Sequence, residues 1–216
     1  MPVKSKKVNR ADSVVVLDFE TSGLSPDMGD RAIEIGAVLV ENGRITDRFQ
    51  KLMNPGIRIN SFIQGYTGIS NAMVKGADSC TTVMKEFGEF IDHHNLVAHN
   101  ASFDKKFLDA EMEMAKTSYG GTFACSMLIA RRLYQNAPNH KLGTLVEYNK
   151  LPTEGVFHRA LADAEMTAHL WLKMLDDLDR QYQISDVPFS LMKKLSRTAK
   201  ASTDAMLKKQ AMAAAV

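Results

Sequence analysis

Val14-Val15-Val16-Leu17-Asp18-Phe19-Glu20-Thr21-Ser22-Gly23 is an apolar run that opens into a turn and carries two acids close to its exit. The run predicts a buried strand, and because strand side chains alternate, Asp18 and Glu20 share one face. Two carboxylates on one face of an otherwise apolar strand repel each other and resist desolvation. The cost is on the order of several kcal/mol unless cations neutralise them. The stretch therefore asks for metal.

Downstream, Ala32 to Val40 reads as a second strand, Glu41-Asn42-Gly43-Arg44 supplies an Asn-Gly hairpin turn, and Ile45 to Leu52 pairs back as a third strand ended by Asn54-Pro55-Gly56. Thr81 to His93 then carries a helical stripe of Val83, Met84, Phe87, Phe90 and Ile91, with Thr81 or Thr82 placed to cap it. Leu96 to His99 is a short strand too apolar for a sheet edge. Helical spacing returns over Ser102 to Ala115. Thr122 to Cys125 is a weaker strand, and Met127 to Tyr134, Lys141 to Tyr148 and Ala160 to Leu178 are helices. A meander of three strands followed by strands separated by helices predicts an α/β fold, a mixed sheet with helices on its faces. After Asp179 the pattern weakens and Ser185-Asp186-Val187-Pro188 breaks it. The rest is basic and rich in Ala, Met and Lys, and reads either as one or two amphipathic helices with Phe189, Leu191, Met192 and Leu195 as a docking face or as a partly disordered tail.

At 216 residues the chain has room for one catalytic domain and a modest extension. A net charge of +2 is too small to announce a nucleic-acid binder. The basic residues are nevertheless uneven: Lys4, Lys6, Lys7 and Arg10 crowd one end, and Lys193, Lys194, Arg197, Lys200, Lys208 and Lys209 the other, so the middle is left acidic. An acidic middle suits a polyanion only if divalent cations or the basic flanks compensate. Solvated, solubilising ends account for either run taken alone. Cys80 and Cys125 form neither a disulfide framework nor a zinc pattern, so a reducing, cytoplasmic setting is expected. The short apolar stretch after the basic N-terminus is interrupted by Asp18 and reads as neither signal peptide nor membrane span.

Two further motifs carry chemistry. In Val97-Ala98-His99-Asn100-Ala101-Ser102-Phe103-Asp104 a strand ends, Asn100 is placed to cap, and Asp104 falls in the first turn of a helix. A lone acid there would be explained by the helix dipole. In His158-Arg159-Ala160-Leu161-Ala162-Asp163 another helix begins. Five helical residues turn through about 500 degrees, which would leave His158 and Asp163 roughly 140 degrees apart. The two converge only if His158 lies on the loop before the helix.

Asp-x-Glu-Thr, Asn-x-x-Phe-Asp and His-x-x-x-x-Asp, in this order and without substitution, resemble the three motifs of the DEDDh exonuclease superfamily. Its members share an RNase H-like fold and include the proofreading epsilon subunit of bacterial DNA polymerase III. The resemblance runs from Ser13 to Leu175. Thr67-Gly68-Ile69-Ser70 and His140-Lys141-Leu142-Gly143-Thr144-Leu145 add secondary similarities. The resemblance implies an RNase H-like mixed five-stranded sheet flanked by helices. Together with the weakening of the pattern after Asp179, it divides the chain into a basic extension (residues 1–12), an exonuclease domain (13–179) and a basic, helical appendage (180–216). It also implies 3′-to-5′ hydrolysis of phosphodiesters, releasing nucleoside 5′-monophosphates from single-stranded or frayed DNA ends in proofreading or repair.

Asp18, Glu20, Asp104 and Asp163 are then the expected ligands of two divalent ions, Mg2+ or Mn2+, with Asp18 bridging them. His158 is the expected general base, its ordinary pKa near 6.5 leaving a neutral imidazole at pH 7. Thr21 would meet the terminal 3′-hydroxyl, Leu24 or Phe103 would press on the last base, and Asn100 would steady the scissile strand. Leu24 as a turn anchor and Phe103 as core are the structural readings of the same positions. Two alternatives stay open: an exoribonuclease trimming RNA 3′ ends, and a catalytically silent interaction module. The expected partners are a nucleic-acid 3′ end, and a polymerase or other protein docked through residues 180–216.

Overall fold

In the computed structural model, which describes residues 9–153 and 159–214, five strands form one mixed sheet. They are β1 (Val14–Thr21), β2 (Ala32–Glu41), β3 (Arg44–Leu52), β4 (Asn95–Ala98) and β5 (Phe123–Cys125), in the order β3-β2-β1-β4-β5. β1 to β3 are an antiparallel meander, whereas β4 joins β1 and β5 joins β4 in parallel. The β2–β3 turn uses Asn42 at φ 50° and Gly43 at φ 77°, the positive values that a two-residue hairpin requires. The mixed sheet flanked by helices is the expected class, and β4 is internal, as its apolar composition predicts.

The helices are α1 (Ser61–Thr67), α2 (Asn71–Lys75), α3 (Cys80–Ile91), α4 (Ser102–Met114), α5 (Ser126–Leu133), α6 (Leu142–Tyr148), α7 (Ala160–Tyr182), α8 (Phe189–Arg197) and α9 (Thr203–Ala214). Two cores follow from strand alternation. Val15, Leu17 and Phe19 point to one face, against Val83, Met84 and Phe87 of α3 and Phe107 and Leu108 of α4. Val14 and Val16 point to the other face, which α7 covers with Ala168, Trp171 and Met174. Because Asp18 and Glu20 continue the second alternation, the acids lie on the face that α7 crosses.

Two local expectations are corrected. The cap of α3 is Ser79, whose hydroxyl accepts from the Thr82 backbone N–H, rather than Thr81 or Thr82. Asn100 does not cap α4. It sits in the left-handed region at φ 69°, its carbonyl accepts from the Phe103 N–H at 2.9 Å, and Ala101 is the cap residue. α1 and α2, for which no helix was expected, lie on either side of Gly68-Ile69, each capped by a side chain, Asn60 and Ser70.

The C-terminal segment joins the second core. α7 runs three residues past Asp179, to Tyr182, and Phe189, Leu191, Met192 and Leu195 of α8 are all buried beside Trp171. Chain ends are tied together there: Ala11 donates to the Val187 carbonyl at 2.9 Å, the Trp171 indole donates to the Ala11 carbonyl at 2.6 Å, and Arg10 pairs with Asp186 at 2.6 Å. Both cysteines are free.

Candidate active site

Strand register places Asp18 opposite Gly36 and Glu20 opposite Glu34. The missing side chain at Gly36 admits the start of α7: a Cβ there would stand 2.0 Å from the Leu161 backbone nitrogen. α7 therefore begins against the sheet, and one turn in, Asp163 meets the strand acids. Asp18, Glu20 and Asp163 each offer an oxygen, all within 4.8 Å of one another. Asp104 reaches the same strand from α4, where its carboxylate accepts from the buried Phe19 N–H at 3.2 Å. His158 lies outside the described residues.

Glu34 is the acid that sequence reasoning missed. It is fully buried and accepts from the Arg159 guanidinium at 2.7 and 3.1 Å, from the Ala160 N–H at 3.2 Å and from Gln50 at 3.0 Å. It thus serves α7 as an N-terminal acceptor supplied by another element. Its signal was a single charge inside the apolar Ala32 to Val40 run. Its partner, 125 residues away, gave none.

The electrostatics of the pocket are set by burial first. Desolvation, then repulsion from Asp104, Asp163, Glu20 and Glu34, holds Asp18 well above the usual carboxylate range. Burial and then Asp163 and Glu34 push Glu20 up to about 8, with Arg159 opposing. Burial pushes Asp104 up to about 7 against the Phe19 hydrogen bond. Oxygen-only donors whose charges are this costly to maintain alone fit a hard divalent cation, for which they become charge complement instead of repulsion.

Asp18 and Asp163 open into a cavity of about 400 Å³, lined also by Tyr66, His99, Lys141, Leu142, Gly143 and Thr144. His99 is a poor proton acceptor. Its ring nitrogens lie 2.9 Å from the Ser126 hydroxyl and 2.9 Å from the His140 carbonyl, and burial lowers its pKa to about 4. Tyr66, 54% exposed, stacks on Phe62, 74% exposed, with rings 6.1 Å apart and 11° from parallel. Neither aromatic was singled out in the sequence, although their four-residue spacing places both on one face of a helix.

The expected substrate positions are distributed as follows. Thr21 is buried and its hydroxyl donates to the Gly23 carbonyl at 2.6 Å. Leu24 is 78% exposed, which does not fit a turn anchor. Asn100 is exposed beside the start of α4. Phe103 is half-buried and tilted on Phe107 at 5.2 Å, on the edge of the first core.

Comparison with known proteins adds a family and relatives. The family model described as Exonuclease matches residues 15–171. The chain is 42% identical over 164 residues to the PolC-type DNA polymerase III of Caldanaerobacter subterraneus subsp. tengcongensis, covering 76% of this chain and 12% of that protein. It is 37% identical over 187 residues to the 3′-5′ exonuclease DinG of Bacillus subtilis, covering 85% and 19%. The chain thus spans under a fifth of the length of these relatives. Among solved structures, Exonuclease X in complex with 5′ overhanging duplex DNA superposes with a TM-score of 0.65 at 25% identity, covering 85% of this chain and 99% of that one. The nuclease domain of 3′hExo, a DEDDh family member bound to rAMP, superposes with a TM-score of 0.66 at 22% identity, covering 77% and 92%; the likeness is one of fold.

Proposed function

The chain belongs to the exonuclease family, and from that premise we propose that it is a metal-dependent 3′-to-5′ exonuclease acting on single-stranded or frayed DNA ends and releasing nucleoside 5′-monophosphates. The observation that carries the reading is the convergence of Asp18, Glu20 and Asp163 within 4.8 Å, with Asp104 anchored on the same strand.

Asp18, Glu20, Asp104 and Asp163 would hold the ions, Mg2+ or Mn2+. When bound, two such ions lower the pKa of the attacking water and stabilise charge on the attacked phosphate and the departing 3′ oxygen. The chain's own contribution is positional. β1 fixes two carboxylates, the Phe19 N–H orients Asp104, and the seat at Gly36 brings Asp163 to them. His158, in this reading, takes the proton from water. His99 does not compete for that role, because it is held neutral with both nitrogens engaged. The stacked Phe62 and Tyr66 provide flat apolar surface for unpaired bases of any identity, which favours single strands without sequence preference. Thr21, Leu24, Asn100 and Phe103 stand in this proposal as contacts to the terminal nucleotide.

DNA is favoured over RNA by the relatives, which are named for DNA polymerase III and for a 3′-5′ exonuclease, and by the DNA-bound structural neighbour. The same names support a role in replication proofreading or repair, for which a cytoplasmic setting is the matching proposal. Among the described residues no helix is long and apolar enough to cross a membrane. A protein partner at residues 180–216 would have to use their polar side, since the four apolar residues of α8 are buried in the chain's own core.

The test is degradation of 3′-recessed DNA, single-stranded DNA and matched RNA by the wild type and Asp18→Ala, with Mg2+ or chelator. Laddering from the 3′ end is expected only for the wild type with metal, and faster on DNA. Activity that survives Asp18→Ala or chelation would reject the mechanism, and faster RNA cleavage would reverse the substrate assignment.

A further inference from the structure

α8 is two-sided. Phe189, Leu191, Met192 and Leu195 are spent on the core, and the opposite side carries Ser190, Lys193, Lys194 and Arg197 at helical spacing. These four and Thr198 line an open cavity of about 460 Å³. Contacts tie the end of α8 to elements that reach the wall of the acidic pocket. Arg132 of α5 donates to the Thr198 carbonyl at 2.9 Å, and Gln135 to the Lys200 carbonyl at 3.2 Å, so the end of α8 is strapped to the end of α5. Lys200 and Arg131 stand close enough to His140 for their charges to act on its imidazole, though burial is the larger influence there. The His140 carbonyl accepts from His99, and His99 and Lys141 line the pocket that holds Asp18 and Asp163.

A band of cations therefore runs from the pocket wall to α8: Lys141, Arg131, Lys200, Arg197, Lys194 and Lys193. Among the described residues none of the six pairs with a carboxylate, in contrast to Lys208, which pairs with Asp204 at 2.8 Å. In a chain whose net charge is only +2, three unpaired cations lining one cavity, with three more on the elements leading to the pocket, are a local concentration. Cations carried on successive elements, rather than gathered at one point, suit a linear polyanion better than a compact one.

We propose that this band is the binding track for the nucleic-acid strand 5′ of the nucleotides being hydrolysed, with the α8 cavity holding its backbone phosphates. The inference rests on the exonuclease reading of the pocket and adds where the rest of the strand lies. On this proposal a trinucleotide engages the acidic pocket alone, whereas a longer strand also reaches α8.

The experiment compares the full-length wild type with Lys193→Ala/Lys194→Ala/Arg197→Ala on a trinucleotide and on a 30-nucleotide single strand, at several salt concentrations, with Mg2+. Strand binding is measured separately by fluorescence anisotropy in chelator. Removing three phosphate contacts lowers the slope of log affinity against log salt by about 2, from roughly 0.7 per contact on single strands. The expected result is a KM on the 30-mer raised roughly tenfold or more at moderate salt, with kcat preserved and trinucleotide hydrolysis unchanged. Lys193→Arg/Lys194→Arg/Arg197→Lys should retain the wild-type slope. An unchanged slope overturns the proposal and leaves α8 to an acidic protein partner or to solvent. Equal losses on both substrates also overturn it, by showing a structural effect on the pocket. Wild type that hydrolyses neither substrate refutes the exonuclease reading instead, and the anisotropy slopes still report on the track.

Discussion

Glu20 shows how costly the pocket's own charges are to maintain. Its ordinary value of 4.5 is raised to about 8, by burial and then by Asp163 and Glu34. Asp104 is raised to about 7, and Asp18 moves in the same direction. A carboxyl whose folded pKa exceeds its unfolded one binds its proton more tightly in the native state. Its stabilising effect is complete below the unfolded value, near 4, and is lost as pH rises through the folded value. Without metal the protein should therefore lose stability between about pH 4 and 8, lowering Tm by roughly 5–10 °C. With Mg2+ that loss should largely disappear. Thermal melts in chelator and in Mg2+ across this range decide the matter, and a flat chelator profile would show that the acids are not desolvated together. At this scale the sequence was legible where alternation did the work, since Asp18 and Glu20 must share a face. Asp104 and Asp163 were placed by motif resemblance alone, because nothing local says that two helix N-termini converge on one strand. Glu34 and Arg159 escaped notice for the same reason.

Helix α7 lies close enough to the sheet to deliver Asp163 because its sheet-facing residues Ala160, Ala164 and Ala168 are small and Gly36 has no side chain. Gly36→Ala would put a methyl group 2.0 Å from the Leu161 nitrogen, and backbone cannot swing aside as a flexible side chain does. The helix start must move. We expect a stability loss of about 1–3 kcal/mol from overpacking, and a fall in kcat of about 100-fold, the usual consequence of displacing a reacting group by about 1 Å. A variant with lowered Tm but wild-type kcat would show that Asp163 is positioned by other means. Element positions were readable where apolar alternation or a helical stripe was long: all five strands lie within two residues of their expected bounds. α1 and α2, with seven and five residues, are too short to show a stripe and were not expected; the caps Asn60 and Ser70 are the signal that could have found them. The cap of α3 was misjudged because Ser79, Thr81 and Thr82 are chemically equivalent candidates, and only the backbone path selects among them.

Over the whole molecule, the break at Ser185-Asp186-Val187-Pro188 marks a turn rather than an end of packing. Composition made residues 180–216 look separable, since they are basic and rich in small residues. What binds them in is nonlocal: Pro188 bridges to Arg10, Phe189 packs on Trp171 with ring centres 6.0 Å apart, and Leu195 and Leu207 are fully buried in the core shared with β1 and α7. No local pattern reports a pairing between opposite ends of a chain. If this shared core is one cooperative unit, Leu195→Ala should destabilise the protein by about 2–5 kcal/mol and lower Tm in a single transition seen identically by far-ultraviolet circular dichroism and by Trp171 fluorescence. An independently folding appendage would instead give two transitions, with the Trp171 signal unmoved. The outcome also bears on the track over α8, because a helix that melts apart from the sheet could not hold phosphates at a fixed distance from the acids, and strand binding would weaken before catalysis of short substrates as temperature rises.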